Sequence, residues 1–219
     1  MVQVKLWAQC ETRDRERHDV CSTCTVNVMK GLKVEVQSRM SESRNNMALK
    51  LMKTRTKYEY FLHELCVSIQ LSSHEGILST HPIYVDSDDF YVLTQDLAPA
   101  GTLHSLIEPG VGIPEAMVKR CALQLTKALE YMHDQALVHR DIKPDNVLLM
   151  DKDCYHVKLS DGTRVPMACV KPKSMSPLIP FMSPELCQLQ RHEALVLSPT
   201  IDTWAFGVLL FDIFHGKEQ

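Results

Sequence analysis

The stretch VHRDIKPDNVLLMDKDCYHVKLSDGT, residues 138–163, constrains this chain more than any other. Two short apolar runs, NVLLM and HVKLS, read as strands. A polar loop with His139, Arg140, Asp141, Lys143 and Asn146 precedes the first, and Asp161-Gly162-Thr163 follows the second. Asp141 can accept a proton or orient a hydroxyl, and Lys143 can neutralise anionic charge. Asn146 and Asp161 offer oxygens to a hard cation.

Composition sets outer bounds. The chain has 219 residues, 45% apolar and 23% charged, as expected of a globular protein with one sizeable core or two small ones. A net charge of -3 gives no electrostatic case for nucleic acid. The eight cysteines are scattered, and the reading is reduced thiols in the cytoplasm. Cys21 and Cys24 form a lone CxxC with no second ligand pair at zinc spacing, so they read as ordinary thiols. No secretory leader is legible. WAFGVLLF is far shorter than the roughly 20 residues of a spanning helix, so no membrane segment is expected.

The pattern changes near residues 97–101. Before it, TVNVM (25–29), LKVEV (32–36) and MALKLMK (47–53) alternate like strands. KYEYFLHELCVSIQLSS reads as a helix with Phe61, Leu65 and Ile69 four apart, and PIYV and FYVLTQDL read as further strands. After it, IPEAMVKRCALQLTKALEYMH predicts a long amphipathic helix with Pro114 in its first turn. Val118, Cys121, Leu125, Ala128, Leu129 and Met132 form its apolar stripe. DTWAFGVLLFDIF (202–214) is apolar nearly all round and predicts a helix in the middle of a domain.

Lys50, on a strand, and Glu64, on the following helix, could pair across the first region. With the loop residues they supply what phosphoryl transfer needs: a carboxylate for a hydroxyl, two magnesium ligands and a cation for phosphates. Each residue alone would be a helix-end ion pair, a solvated lysine or a turn residue. Their joint order along the chain is what argues for chemistry.

The chain resembles a eukaryotic protein kinase domain. HRDIKPDN matches the catalytic loop H-R-D-L-x-x-x-N, and MALK resembles the strand motif V-A-I-K. SPE (183–185) resembles A-P-E, and Asp202, Trp204 and Gly207 match D-x-W-x-x-G of the central helix. FLHELCVSIQLSSH, DLAPAGTLHSLI, VGIPEAMVKRCALQLTKALEYMH and WAFGVLLF are similar to the serine/threonine Src-homology-3-domain-binding kinase family, over about residues 47–216.

That resemblance implies an α+β, two-lobed fold. Residues 1–24 are a divergent N-terminal segment open to disorder, 25–97 a small β-rich N-lobe, and 98–219 a mainly helical partial C-lobe ending after the central helix. It also implies roles. Asp141, Lys143 and Asn146 would be catalytic, and Asn146 and Asp161 would hold Mg2+. Lys50 would bind the ATP phosphates, positioned by Glu64, with Glu59 as the alternative. Gln95 would be the gatekeeper, with Asp96 to Ala98 facing adenine and Ala48 and Leu148 sandwiching it. Arg140 would receive a phosphorylated Ser176. The implied partners are ATP and a protein substrate with Ser or Thr, without nucleic acid or membrane.

Four departures bear on activity. Only Gly31 stands in the region of the family's glycine-rich loop, roughly residues 24–36. Asp161-Gly162-Thr163 replaces D-F-G, so the aromatic that packs near His139 is missing. Leu178 stands where a threonine is expected, and the sequence stops at Gln219. The expectation is therefore a serine/threonine kinase of reduced activity. The alternative is a pseudokinase or interaction module, or an incomplete gene model.

Overall fold

The structure is a computed structural model that describes residues 7–8, 47–53, 58–86, 90–160, 165–166, 169–170, 179–188 and 195–216. The expected strands at 25–29 and 32–36 lie outside the described residues. The chain forms two compact units: residues 1–73 with 79–97, and residues 74–78 with 98–219.

The first unit is an antiparallel sheet with one helix. Strands β1 (Trp7–Ala8), β2 (Met47–Lys53), β3 (Thr80–Asp86) and β4 (Phe90–Asp96) lie in the order β1-β3-β4-β2. The β2–β4 register runs from Met47 opposite Asp96 to Lys53 opposite Phe90 without a break, whereas β3–β4 shifts between His81 and Tyr84. Helix α1 (Tyr58–Leu71) buries Phe61, Leu65, Ser68 and Leu71. Ile69, expected on that stripe, is 37% exposed. At 3.6 residues per turn, a step of seven returns to within about 20° of its start, whereas a step of eight overshoots by roughly 80°. Ser68 therefore lies along the line of Phe61, and Ile69 turns outward. Phe61 stacks on Tyr91 at 4.8 Å and forms the unit's core with Leu65 and Leu93.

The second unit is built around two helices. Helix α2 (Glu115–Asp134) buries Cys121, Leu125, Ala128, Leu129 and Met132; Val118 is half-buried. Pro114 stands one residue before the helix as its N-cap, and its carbonyl accepts the N–H groups of Met117 and Val118. Strand β5 (Leu137–Val138) pairs with β8 (Val165–Pro166), and β6 (Val147–Leu149) pairs with β7 (Val157–Leu159) as a hairpin. Strands β9 (Cys169–Val170) and β10 (Leu195–Val196) pair, and α3 (Pro184–Cys187) precedes α4 (Thr200–His215). Residues 74–78 join this unit through Leu78 N–H to Leu159 O and Leu159 N–H to Gly76 O.

Helix α4 ends in a loop contact that requires glycine. Gly216 adopts φ 63°, and its N–H bonds to Asp212 O. Gly110 N–H donates to Gly216 O and Ile113 N–H to Ile213 O, so the 108–113 loop covers the last carbonyls of the helix. A Cβ on Gly112 would fall 2.5 Å from Phe214 O, and one on Gly216 would collide with Glu108 O. The helix is not wrapped on all sides. Ile201, Asp202, Ala205, Leu209, Asp212 and Ile213 are buried, but Trp204, Phe211 and Phe214 are each nearly half exposed. The apolar sequence therefore forms a helix with one outward face, not the fully enclosed one its composition predicts.

Candidate functional site

The predicted site residues fall into two clusters, one in each unit. In the first unit, the alternation of β2 buries Leu49 and turns Lys50 to the other face. Glu64 sits one turn beyond Phe61 on α1, and its Oε1 accepts Lys50 Nζ at 2.5 Å. Both side chains are about a third exposed, so the pair contributes only about 0–1 kcal/mol to stability. Its consequence is positional: it fixes where the ammonium stands.

Ala48 lies opposite Gln95, and Met47 opposite Asp96. Gln95 is 5% exposed and donates through Nε2 to Thr80 Oγ1 at 3.1 Å. Behind it, Thr80 N–H donates to Ser72 Oγ at 2.8 Å, and that hydroxyl donates to Ser68 O. A buried polar chain thus fixes the Gln95 side chain. His81 Nε2 lies 3.0 Å from Asp96 Oδ1.

The second cluster is the 139–146 loop. It alternates between inward anchors and outward functional groups. His139, Ile142 and Pro144 are buried, whereas Arg140, Asp141, Lys143 and Asn146 are half-buried. The His139 ring accepts Asp141 N–H at Nδ1, which leaves the proton on Nε2 to donate to Ser160 O at 2.8 Å. Asn146 donates from Nδ2 to both Asp141 O and Asp141 Oδ2, each at 2.7 Å. Lys143 Nζ lies 3.4 Å from Asp141 Oδ1. That oxygen is buried and has no hydrogen bond.

The residue that holds this loop is Asp202 of α4, fully buried. Its Oδ2 accepts His139 N–H at 2.7 Å and its Oδ1 accepts Arg140 N–H at 2.8 Å. His133 Nε2 donates to the same carboxylate at 2.9 Å. Arg140 has φ 69°, the left-handed region, and this bend lets two successive N–H groups converge on one anion. Burial opposes ionisation of Asp202, but His133 and the two backbone donors outweigh it, and the carboxyl titrates below its ordinary value. Burial lowers the pKa of the Arg140 guanidinium, and the Asp202 charge acts against that. The sequence placed Asp202 in a motif but did not reveal this role. Nor did it single out His133.

Leu148 sits on β6, opposite Lys158 and bridged to Thr102, and Ala98 accepts Gly101 N–H in the same unit. Asp161, Gly162, Thr163, Ser176 and Leu178 lie outside the described residues. Among the described residues, no three His, Cys, Asp or Glu side chains converge to hold a metal ion. The loop does offer hard oxygen. Asn146 commits its amide protons to Asp141, so its carbonyl oxygen is the remaining donor, beside Asp141 Oδ1, which makes no hydrogen bond and faces Lys143 Nζ. This donor chemistry fits a divalent cation such as magnesium. No helix among the described residues is long and apolar enough to cross a membrane.

Comparison with known proteins agrees with the geometry. The protein kinase domain family matches residues 30–219. Serine/threonine-protein kinase SBK1 of Danio rerio is 44% identical over 174 residues, which cover 79% of this chain and 45% of the relative. Serine/threonine-protein kinase SBK2 of Homo sapiens is 40% identical over 172 residues, covering 78% and 49%. Serine/threonine-protein kinase meng-po of Drosophila melanogaster is 35% identical over 163 residues, covering 74% and 36%. The chain therefore spans about half the length of the curated relatives it matches, or less. A family match over residues 30–219, together with a lysine–glutamate pair and a catalytic-type loop tied to a buried aspartate, establishes that the chain belongs to the protein kinase domain family.

Proposed function

We propose that this chain is a serine/threonine protein kinase that transfers the γ-phosphoryl group of ATP to protein hydroxyls at a reduced rate. Residues 25–97 would serve as its N-lobe and 98–219 would belong to its C-lobe. The observation that carries the reading is the 139–146 loop: Asp202 fixes its backbone, and Asn146 holds the Asp141 carboxylate. A carboxylate held in this way can orient a substrate hydroxyl without reorganising during the reaction. Lys143, beside it, steadies the transferring phosphoryl group. Lys50, set by Glu64, holds the α- and β-phosphates. Asn146 and Asp161 hold the divalent cation, Mg2+ in this reading, which would neutralise charge on the phosphates. Ala48, Leu148, Gln95, Asp96 and Ala98 receive the adenine. Arg140 takes the phosphate of a modified Ser176.

A second reading is a pseudokinase that binds nucleotide or partners without turnover. It is favoured by the single Gly31 in residues 24–36 and by the absence of an aromatic after Asp161. Side chains in place of glycine hinder close backbone approach to phosphate. Incubation with γ-labelled ATP, Mg2+ and a protein substrate separates the two. The kinase reading expects label on Ser and Thr, lost in Asp141→Asn. Nucleotide binding by calorimetry with no label transferred supports the pseudokinase. Neither binding nor transfer at millimolar ATP overturns the kinase reading and leaves a pseudokinase that binds partners alone.

A further inference from the structure

Alternation along β2 and β4 puts Ala48, Lys50, Leu93 and Gln95 on one face of the first unit's sheet, with Ala48 opposite Gln95 and Lys50 opposite Leu93. It is the face that α1 covers: Leu93 packs against Phe61 and Leu65, and Lys50 reaches Glu64. Thr80, the first residue of β3, stands opposite Gln95 from the other side of β4. Ala48, Thr80 and Gln95 are all buried. Because β4 lies between β2 and β3, the Gln95 side chain has two neighbours to lean towards. It leans to β3, where its Nε2 donates to Thr80 Oγ1 at 3.1 Å, and so turns away from Ala48. Thr80 is itself pinned. Its N–H donates to Ser72 Oγ at 2.8 Å, and that hydroxyl donates at 2.7 Å to Ser68 O, one of the last carbonyls of α1. Beside it, Asp96 N–H donates to Ser79 O at 3.0 Å. A β-branched side chain is stiff at χ1, so the Thr80 hydroxyl presents itself in one direction.

We propose that Thr80 is a positioning residue of the adenine subsite: its hydroxyl holds the Gln95 side chain over β3 and so keeps Ala48 open to the purine. The inference rests on the kinase reading above, in which Ala48 and Gln95 receive the adenine, and it adds a residue that touches no nucleotide itself. A buried amide is costly to leave unpaired, so the Gln95 side chain stays on the one hydroxyl set opposite it. Without that hydroxyl, the amide is free to swing across β4 towards Ala48. There it would fill the space the purine needs, and it would lose its new hydrogen bonds when the base arrived. Through Ser72 the same residue ties the start of β3 to the end of the helix that carries Glu64. The supports for the adenine and for Lys50 therefore share one anchor.

Calorimetry on the full chain, with adenosine and with ATP plus magnesium, tests this. Thr80→Val keeps the shape of the side chain and removes the hydroxyl. It should weaken both ligands by the same factor, about threefold to tenfold for one buried hydrogen bond, because the phosphate contacts are untouched. Thr80→Ser, which keeps the hydroxyl, should restore binding. Gln95→Leu cannot bond to Thr80 and should weaken binding in the same way. Thr80→Val added to Gln95→Leu should then change it no further. That missing second loss separates a residue acting through Gln95 from one that only stabilises the sheet. Label transfer from ATP, measured on the same samples, tests the kinase reading separately: no transfer with this binding pattern intact removes the activity and leaves the role of Thr80 standing. Three outcomes overturn the proposal. Thr80→Val binds both ligands within about twofold of the unaltered chain. Its loss adds in full to that of Gln95→Leu. The unaltered chain binds neither adenosine nor ATP.

Discussion

Replacing Asp202 tests the connection between α4 and the 139–146 loop. In Asp202→Ala, His139 N–H and Arg140 N–H both lose their acceptor. A buried donor left unsatisfied costs about 1–3 kcal/mol, so the two together cost roughly 2–6 kcal/mol. His139 is fully buried, which places its donor in the upper part of that range, whereas Arg140 is half-buried and can recruit water. His133 also loses its partner, but its side chain is 16% exposed and can be rehydrated. Removing a buried carboxylate returns part of its desolvation cost, which leaves a net loss of about 3–4 kcal/mol. Asp202→Asn keeps one acceptor oxygen but turns an NH2 group toward donors, for a loss of about 2–3 kcal/mol. Total stability of a domain is about 5–15 kcal/mol, so both changes are measurable and the alanine variant approaches unfolding. Urea unfolding of the full chain, followed by circular dichroism, gives the difference. If both variants fall within about 1 kcal/mol of the unaltered chain, the carboxylate does not hold the loop and the reasoning fails.

The depressed pKa of Asp202 makes its contribution pH-dependent. The stabilisation is complete above the unfolded value of about 3.9 and is lost as pH falls through the lower folded value. An acid titration of stability should therefore be steeper below about pH 4 in the unaltered chain than in Asp202→Asn, and equal slopes would refute this. Gly162→Phe combined with Thr163→Gly restores an aromatic after Asp161 and should raise phosphoryl transfer; no rise favours the pseudokinase reading. Ser176→Ala and Arg140→Ala should each lower activity and remove the same phosphorylation-dependent increment, and if neither changes rate or modification the switch does not exist.

Legibility in the sequence followed the range of the interaction. Period-two alternation in MALKLMK placed Lys50 on a strand face, and helical spacing placed Glu64 within reach. The residues at 139–146 were recognisable because they lie close together in the chain. Asp202 was harder. Its double acceptance depends on the left-handed φ of Arg140, and no propensity of arginine announces that. Nothing in the sequence singled out Gly112 or Gly216; the close approach of the loop to the end of α4 gives each a steric reason. The four-residue spacing of Phe61, Leu65 and Ile69 marked the helix correctly, but a step of eight drifts off the buried line, and Ile69 faces outward. The composition of α4 was legible, but its exposed aromatic face depends on which elements pack beside it.

The central claim is that Asp141, held by Asn146, orients the hydroxyl that receives the phosphoryl group. It is tested most directly by comparing the steady-state rate of Asp141→Asn with that of the unaltered chain, with ATP affinity measured on both by calorimetry. Positioned proton acceptors contribute about 10²–10⁴-fold, so the account predicts a fall of at least about 100-fold in kcat with ATP affinity little changed. A variant that transfers phosphate as fast as the unaltered chain, or one whose loss is explained by weaker ATP binding alone, would contradict it.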